Sequence, residues 1–191
     1  MNGVDIGPNF YDTSWTFSAD SNPNLTTISF QGIQGIASVS ITNNPIFETL
    51  EMPGSQEIQT LYLYNLSAFT SLDLESVTTV ESLELIDLGS LSSVNTPLLS
   101  DVGITQDLQF VSSSSLVVKG TNLTTWPFPG LTRLGVTFFT VRLNPYLTNV
   151  DLGALQDFYL INANTPGNFI SFRQNHSLQS ITVANATVNV C

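Results

Sequence analysis

Positively charged residues are scarce in this chain. Only four of its 191 residues are Lys or Arg, against fifteen Asp or Glu, which gives a formal net charge of −11. Nucleic acids and anionic lipid surfaces are bound through clustered Lys and Arg that neutralise phosphate, so the composition argues against both as partners. An acidic surface maintains solubility. This acidic, Ser/Thr-rich and Lys-poor composition suits a protein of the cell exterior or the cell wall.

Cysteine and histidine are nearly absent as well, with one residue of each, Cys191 and His176. A zinc site needs several such ligands, and a catalytic triad needs a His beside a nucleophile, so we expect no metal and no cofactor. A single terminal Cys indicates a disulfide partner outside the chain, a boundary just after a Cys, or an inert thiol. It does not settle the compartment.

Long apolar runs are also missing. No run approaches the ~18 residues of a membrane span, so we expect no transmembrane segment. The first residues lack the basic and then apolar pattern of a signal peptide. We therefore expect either a cytosolic protein or a mature or trimmed chain.

A repeated apolar pattern is present between Val39 and Val102. Its copies begin at Val39, Leu61 and Leu83, 22 residues apart, and place apolar residues mostly at offsets 0, 2, 8, 11, 13, 16 and 19. A fixed period of this length is typical of stacked repeats. Apolar pairs two residues apart mark short strands with one side inward, and no segment keeps a helical period. The pattern predicts an all-β chain whose turns stack in parallel.

The same frame extends in both directions and predicts about seven turns of 22–32 residues. Upstream it begins at Trp15 and Phe17, with two residues inserted in the corner. Downstream it restarts at Ser115 and Val117. We expect the additional residues of the longer turns to leave one corner as loops, or to form an extra partial strand. These insertions are residues 103–114 and 159–169.

The frame also predicts the domain organisation. Residues 1–14, with Phe10 and Tyr11, are expected to cap the N-terminal end, and residues 15–191 to form a single solenoid domain. The last residues lack the polar face of a finished cap. We therefore expect the solenoid to continue or to dock beyond them.

Four segments of the repeat resemble the receptor L-domain repeat, an irregular right-handed β-helix related to leucine-rich repeats. They are VSITNNPIFETLEMP from Val39, FTSLDLESVTTV from Phe69, NLTTWPFPGLTRLG from Asn122 and VRLNPYLTNVDL from Val141. Over about residues 15–183 the chain is similar to fungal GPI-anchored cell-surface proteins with such domains, and bacterial surface leucine-rich repeats of about 23 residues are a second option.

The resemblance implies a right-handed parallel β-solenoid in a glycosylated, non-enzymatic protein of the cell surface or cell wall. Two features of the family are not found in the sequence. These are the disulfide-bonded cysteines near the ends and the Ser/Thr-rich tail with its anchor signal.

Five N-x-S/T sequons predict N-glycosylation. They begin at Asn24, Asn65, Asn122, Asn175 and Asn185. About four would arise by chance in this composition, so their placement is more informative than their number. The first four lie in the corner between the two strand pairs. We expect glycans on some of them to line one ridge and to leave the other faces free.

Carboxylates recur at one offset of the repeat, at Glu51, Asp73 and Asp151. The first two could stack on adjacent turns, and glycoside hydrolysis needs two facing carboxylates. The right-handed β-helix is also the scaffold of pectin-degrading enzymes, but their clustered Asp and G-H-G or Arg/Lys motifs are absent here. We interpret these carboxylates as a solvated outward face, with a weak calcium or sugar contact as the alternative.

Aromatic residues fall into two groups. Trp15 and Trp126 occupy inward positions, which favours core packing over a carbohydrate platform. Tyr62 and Tyr64 alternate with inward residues on one strand, so they can stack on a sugar or a partner, and Tyr146 is a third exposed candidate.

These observations predict a non-enzymatic extracellular protein with a structural role at the cell surface or in the cell wall. The alternative is a module that recognises a cell-wall polysaccharide or a surface protein. A β-helix carbohydrate-active enzyme is a remote third option.

Overall fold

The computed structural model describes residues 3–6, 16–104, 113–160, 169–183 and 187–190, and within these ranges every regular element is a β-strand. The strand bounds are β1 Gly3–Ile6, β2 Thr16–Asp20, β3 Thr27–Phe30, β4 Gly35–Thr42, β5 Thr49–Glu51, β6 Glu57–Tyr64, β7 Ser71–Asp73, β8 Thr79–Ile86, β9 Ser93–Asn95, β10 Asp101–Val102, β11 Ser115–Lys119, β12 Arg133–Val136, β13 Phe138–Arg142, β14 Asn149–Leu152, β15 Asp157–Leu160, β16 Phe169–Arg173, β17 Ser180–Val183 and β18 Thr187–Val190. All pairings between them are parallel, and the chain is a β-solenoid, as the repeat predicts. It has about six turns, against about seven in the prediction.

The solenoid has three faces. Face A consists of β2, the C-terminal halves of β4, β6 and β8, and then β11, β13 and β16. Face B consists of three short sheets, β1-β3-β5, β7-β9 and β14-β17. Face C consists of the N-terminal halves of β4, β6 and β8, and then β10, β12, β15 and β18. No helix long and apolar enough to cross a membrane occurs in the described part of the chain.

The apolar repeat forms one continuous core. Val39, Leu61 and Leu83 lie opposite one another on face A, 22 residues apart, and each is completely buried. Their partners two residues later, Ile41 and Leu63, are buried as well. Full burial of such a side chain contributes about 1.5–3 kcal/mol. One turn alone cannot bury its apolar residues, so the stability of the solenoid depends on the contact of each turn with the next.

A left-handed residue follows every face A strand in the described turns. The seven residues are Ser21, Asn43, Asn65, Asp87, Gly120, Leu143 and Gln174, with φ between 53° and 65°. Asn, Asp and Gly tolerate this conformation best, which explains the corner residues of the middle turns. Leu143 is the one apolar side chain among the seven, so it has no polar group to form a local hydrogen bond that offsets the cost of this conformation.

Buried asparagines stabilise the same corner. Asn44 Nδ2 donates to the carbonyl oxygens of Ala19 and Thr42 at 2.9 and 2.7 Å, and its Oδ1 accepts from Asn22 N at 2.8 Å. Asn144 does the same near the C-terminal end, where its Nδ2 donates to Val118 O at 3.0 Å. Each amide supplies partners to backbone groups that would otherwise be buried without hydrogen bonds.

Two positions of the predicted frame are wrong. In the fifth turn, Leu116 and Val118 face the core, completely buried, and not Ser115 and Val117. In the first turn, Phe17 lies opposite Val39, so the corner holds no two-residue insertion. The error in the fifth turn is a slip of one residue, which exchanges the inward and outward sides of the strand. The error in the first turn is a slip of two residues, which leaves the sides unchanged.

The two insertions lie at the same corner, as predicted, between a face C strand and the next face A strand. The first separates β10 from β11, and the second separates β15 from β16. Tyr159 and Leu160, which the sequence assigned to the second insertion, belong to β15. Residues 105–112 and 161–168 lie outside the described residues, as do Phe10 and Tyr11 of the predicted cap.

Candidate ligand-binding face

The outward side of face A carries aromatic, hydroxyl, carboxylate and basic side chains. Successive side chains of a strand point to opposite sides, so the buried Leu61 and Leu63 place Tyr62 and Tyr64 outward on β6. Both tyrosines are partly exposed, as predicted. Their rings stack with a centroid distance of 6.3 Å and an interplanar angle of 14°.

Polar and apolar side chains flank the tyrosine pair on both neighbouring strands. Ser40 and Thr42 lie opposite Tyr62 and Tyr64 on β4. Glu84 and Ile86 lie opposite them on β8. The tyrosine pair thus has hydroxyl groups on one side and a carboxylate on the other. Aromatic rings with adjacent hydrogen-bonding groups are suited to the apolar ring faces and hydroxyl groups of a sugar.

The hydroxyl groups beside Glu84 form a fixed network. Ser115 Oγ donates to Glu84 Oε1 at 2.5 Å, and the hydroxyl oxygens of Ser82 and Ser115 are 2.7 Å apart. Residue 115 was expected in the core. It lies on the side of β11 away from the core, where it is still buried at 3% exposure, and its hydroxyl orients the carboxylate of Glu84 next to Tyr62.

The electrostatic environment keeps the tyrosine hydroxyl protonated. Partial burial raises the pKa of Tyr62, and the negative charges of Glu84 and Asp87 raise this pKa further. Tyr62 is therefore a hydrogen-bond donor over the whole physiological pH range. At the N-terminal end of the face, hydrogen bonds from Thr42 and Asn43 lower the pKa of Asp20, which is ionised at neutral pH.

Basic residues form a column on the other half of face A. Lys119, Arg142 and Arg173 lie side by side on β11, β13 and β16. They belong to the same row as Tyr64 and Ile86. Lys119 Nζ donates to Asp87 Oδ2 at 3.1 Å, whereas the fourth basic residue, Arg133, pairs with Asp101 on face C.

The sequence analysis counted the four basic residues but did not predict that three of them align in this column. Arg142 and Arg173 each come three residues after the first inward residue of their turn, at Phe139 and Ile170. With Ser115 taken as an inward residue, Lys119 came four residues after it. Once Leu116 is the first inward residue, all three cations share one position.

Tyr146 lies away from this face. It is 55% exposed at the corner between β13 and β14, two residues after the buried Asn144. The predicted ligand-contact residues therefore separate into a tyrosine pair on face A and a single corner tyrosine. The structure does not bring them together.

The sequon asparagines differ in environment. Asn24 and Asn65 are exposed, and Asn122 is partly exposed. Asn175 is engaged in the corner network, because its Nδ2 donates to Val141 O at 2.8 Å. Asn185 lies outside the described residues.

The sequon serines have structural contacts too. Ser67 Oγ donates to Pro45 O at 2.9 Å, and Ser177 Oγ donates to Pro145 O at 2.6 Å. Each serine thus joins its corner to the preceding turn. The N-x-S triplets at Asn65 and Asn175 therefore have a role in the fold whether or not they carry sugars.

The carboxylates predicted to stack on adjacent turns border a groove of about 570 Å³ on face B. Glu51 is on β5 and Asp73 is on β7, and these strands belong to separate sheets. Asp73 Oδ1 accepts from Glu75 N and Asn95 Nδ2, and Asp151 Oδ1 likewise accepts from Gly153 N. Asp73 and Asp151 therefore stabilise turns at the ends of their strands.

The remaining candidates are explained by the fold. Trp126 is 5% exposed and makes edge-to-face contacts with Phe128 and Phe139, which confirms core packing. Trp15 lies outside the described residues, and His176 is exposed at a corner. Within the described ranges, no three His, Cys, Asp or Glu side chains lie together in a group that could hold a metal ion.

Comparisons of the sequence with family models and curated proteins, and of the structure with solved structures, found no match.

Proposed function

We propose that this protein is a non-enzymatic module of the cell surface or cell wall that binds polysaccharide on face A. The single observation that carries the proposal is the stacked, partly exposed pair Tyr62 and Tyr64 on a parallel sheet. Its flanking hydroxyl and carboxylate groups supply hydrogen-bond donors and acceptors at fixed positions. A rigid surface of this kind loses little conformational entropy on binding, which favours affinity for an extended ligand.

An extracellular location is part of the same proposal. It is supported by the Lys-poor acidic composition, by exposed sequons at Asn24 and Asn65, and by the resemblance to fungal GPI-anchored proteins with receptor L-domain repeats. N-glycans on the corner between faces A and B would leave the outward side of face A accessible. The structural role in the wall would follow from the binding of polysaccharide by a rigid rod.

Binding to insoluble cell-wall polysaccharides tests this function. The wild-type protein should sediment with at least one glucan, mannan, chitin or pectin fraction, and Tyr62→Ala/Tyr64→Ala should remain in solution, because both stacking surfaces are lost. Tyr146→Ala is the matched control and should sediment like wild type. The proposal fails if no fraction binds the protein or if the double variant binds unchanged.

A further inference from the structure

Two arginines lie directly opposite each other on an acidic protein. Arg142 on β13 is in register with Arg173 on β16, and both are exposed. Neither forms an ion pair with any residue in the described part of the chain. Like charges directly opposite on neighbouring strands destabilise a sheet. The arrangement therefore lowers stability in the free protein, and an anion between the guanidinium groups would relieve it.

The strands around these arginines carry no negative charge. The sequences of β11, β13 and β16 contain Lys119, Arg142 and Arg173 but no Asp or Glu. Asp20 lies at the other end of face A. Glu84 lies on β8 beside β11, and Asp87 at the end of β8 pairs with Lys119, so the two cations away from these carboxylates are Arg142 and Arg173. β13 and β16 lie two and three strand spacings from β8, or about 10 and 14 Å. Because charges further apart than about 8 Å are largely screened at physiological salt, the arginine pair is locally positive despite the net charge of −11.

We infer that Arg142 and Arg173 bind the carboxylates of a linear acidic polysaccharide, a polyuronate, that extends along face A from the tyrosine pair. This inference rests on the proposed function, since it specifies the ligand of the same face. Arginine binds carboxylates through two parallel hydrogen bonds, which a point charge cannot do. The ring faces of the sugars stack on Tyr62 and Tyr64, and their carboxylates contact the cations.

The two arginines lie beyond the tyrosine pair along the same row of face A. Neighbouring strands lie about 4.8 Å apart, so Arg142 and Arg173 are three and four strand spacings from Tyr64, or about 14 and 19 Å. A polyuronate carries one carboxylate per sugar ring, and the column offers one cation per strand. Double-stranded DNA carries one charge per about 1.7 Å and needs a denser cationic surface than this chain has.

The experiment is a titration of wild-type protein with an oligogalacturonate of defined length and with its methyl ester, which is uncharged. We expect the uronate to bind about tenfold more tightly than the ester, since two or more exposed charge contacts are involved. Arg142→Gln/Arg173→Gln should bind both ligands equally, at the affinity of the ester. Gln56→Glu/Gln179→Glu changes the net charge by the same two units at exposed sites on other faces, and it should retain the preference for the uronate.

Thermal unfolding without ligand gives a second readout. Arg142→Gln/Arg173→Gln should unfold at a higher temperature than wild type, because the repulsion between the two guanidinium groups is removed. A lower unfolding temperature would show that the arginines have a stabilising partner, and it would contradict the inference.

The outcomes separate this inference from the proposed function. If the uronate and the ester bind equally well to wild type, the anionic ligand is wrong, and polysaccharide binding by the tyrosines still stands. If neither ligand nor any neutral polysaccharide binds, the proposed function itself is wrong. A sulfated oligosaccharide of the same length that displaces the uronate at lower concentration would overturn the assignment to carboxylates.

Discussion

Asn175 Oδ1 accepts hydrogen bonds from both the backbone N and the side-chain Nδ2 of Asn144, at 3.0 and 3.2 Å. Asn144 in turn accepts from Thr121 N and Thr121 Oγ1, at 3.0 and 2.8 Å. Three consecutive turns are thus joined at one corner by side-chain amide and hydroxyl groups. In the middle turns, Leu66 and Leu88 occupy the equivalent position and are completely buried.

Asn144→Ala should destabilise the protein by about 2–4 kcal/mol, because it leaves several buried backbone groups without partners. Chemical denaturation of the variant and of wild type measures the difference. Asn24→Ala, which changes an exposed corner residue, is the control and should cost less than about 0.5 kcal/mol. Similar losses for the two variants would show that the amide network does not stabilise the corner.

The register of β11 in the fifth turn can be tested by the same substitution, Val→Ala, at an inward and at an outward position. Val118 is completely buried and Val117 is partly exposed on the outward side of β11. Val118→Ala should therefore cost about 2 kcal/mol in unfolding free energy, and Val117→Ala less than about 1 kcal/mol. If chemical denaturation shows a larger loss of unfolding free energy for Val117→Ala than for Val118→Ala, the register predicted from the sequence, with Ser115 and Val117 inward, is correct.

The inward residues of this fold could be predicted from the sequence in some turns and not in others. Turns two to four could be predicted residue by residue, since Val39, Leu61 and Leu83 recur without interruption. The fifth turn follows an insertion, and in S-L-V-V-K the apolar pattern fits two registers, so periodicity could not choose between them. In the first turn, Ala19 is the inward residue opposite Ile41, and its small side chain gave little signal.

The candidate site was predictable only in part. Tyr62 and Tyr64 lie in the uninterrupted turns, where alternation assigns the outward side correctly. The cation column depends on the register across both insertions, because Lys119 follows the first and Arg173 follows the second. An error of one residue in the fifth turn was enough to hide the alignment. Which outward residues meet across strands is a property of register and not of local sequence.

Leu143 has a φ of 59° and is 37% exposed. Leu143→Asn should stabilise the protein by up to about 1 kcal/mol, since Asn adopts the left-handed conformation at lower cost. Ile46→Asn is the matched control, because Ile46 is an exposed apolar residue of an equivalent corner with ordinary φ. The unfolding temperature should rise for Leu143→Asn and not for Ile46→Asn. Equal changes in the two variants would show that the backbone conformation of Leu143 does not lower stability.

Glu81 gives the stability a defined pH dependence. Partial burial raises the pKa of Glu81, and the nearby Glu57 raises this pKa further. A carboxyl group with a raised pKa binds its proton more tightly in the folded state, so it destabilises the fold as the pH rises above its unfolded-state value of about 4.3.

Glu81→Gln should therefore raise the unfolding temperature at pH 7, and the gain should disappear below about pH 4. Glu75→Gln, at an exposed site, serves as the control and should have little effect. A gain that persists unchanged at low pH would rule out the ionisation of Glu81 as its cause.

The central proposal is that face A binds the ligand. It is tested most directly by the changes in backbone amide chemical shifts when an oligosaccharide is added. With a mass of 20.7 kDa, the protein is suited to a solution NMR titration with a bound oligosaccharide. We predict shift changes concentrated on β6, β8, β11, β13 and β16, centred on Tyr62, Tyr64, Arg142 and Arg173. Changes concentrated at the groove of Glu51 and Asp73, with face A unperturbed, would contradict it.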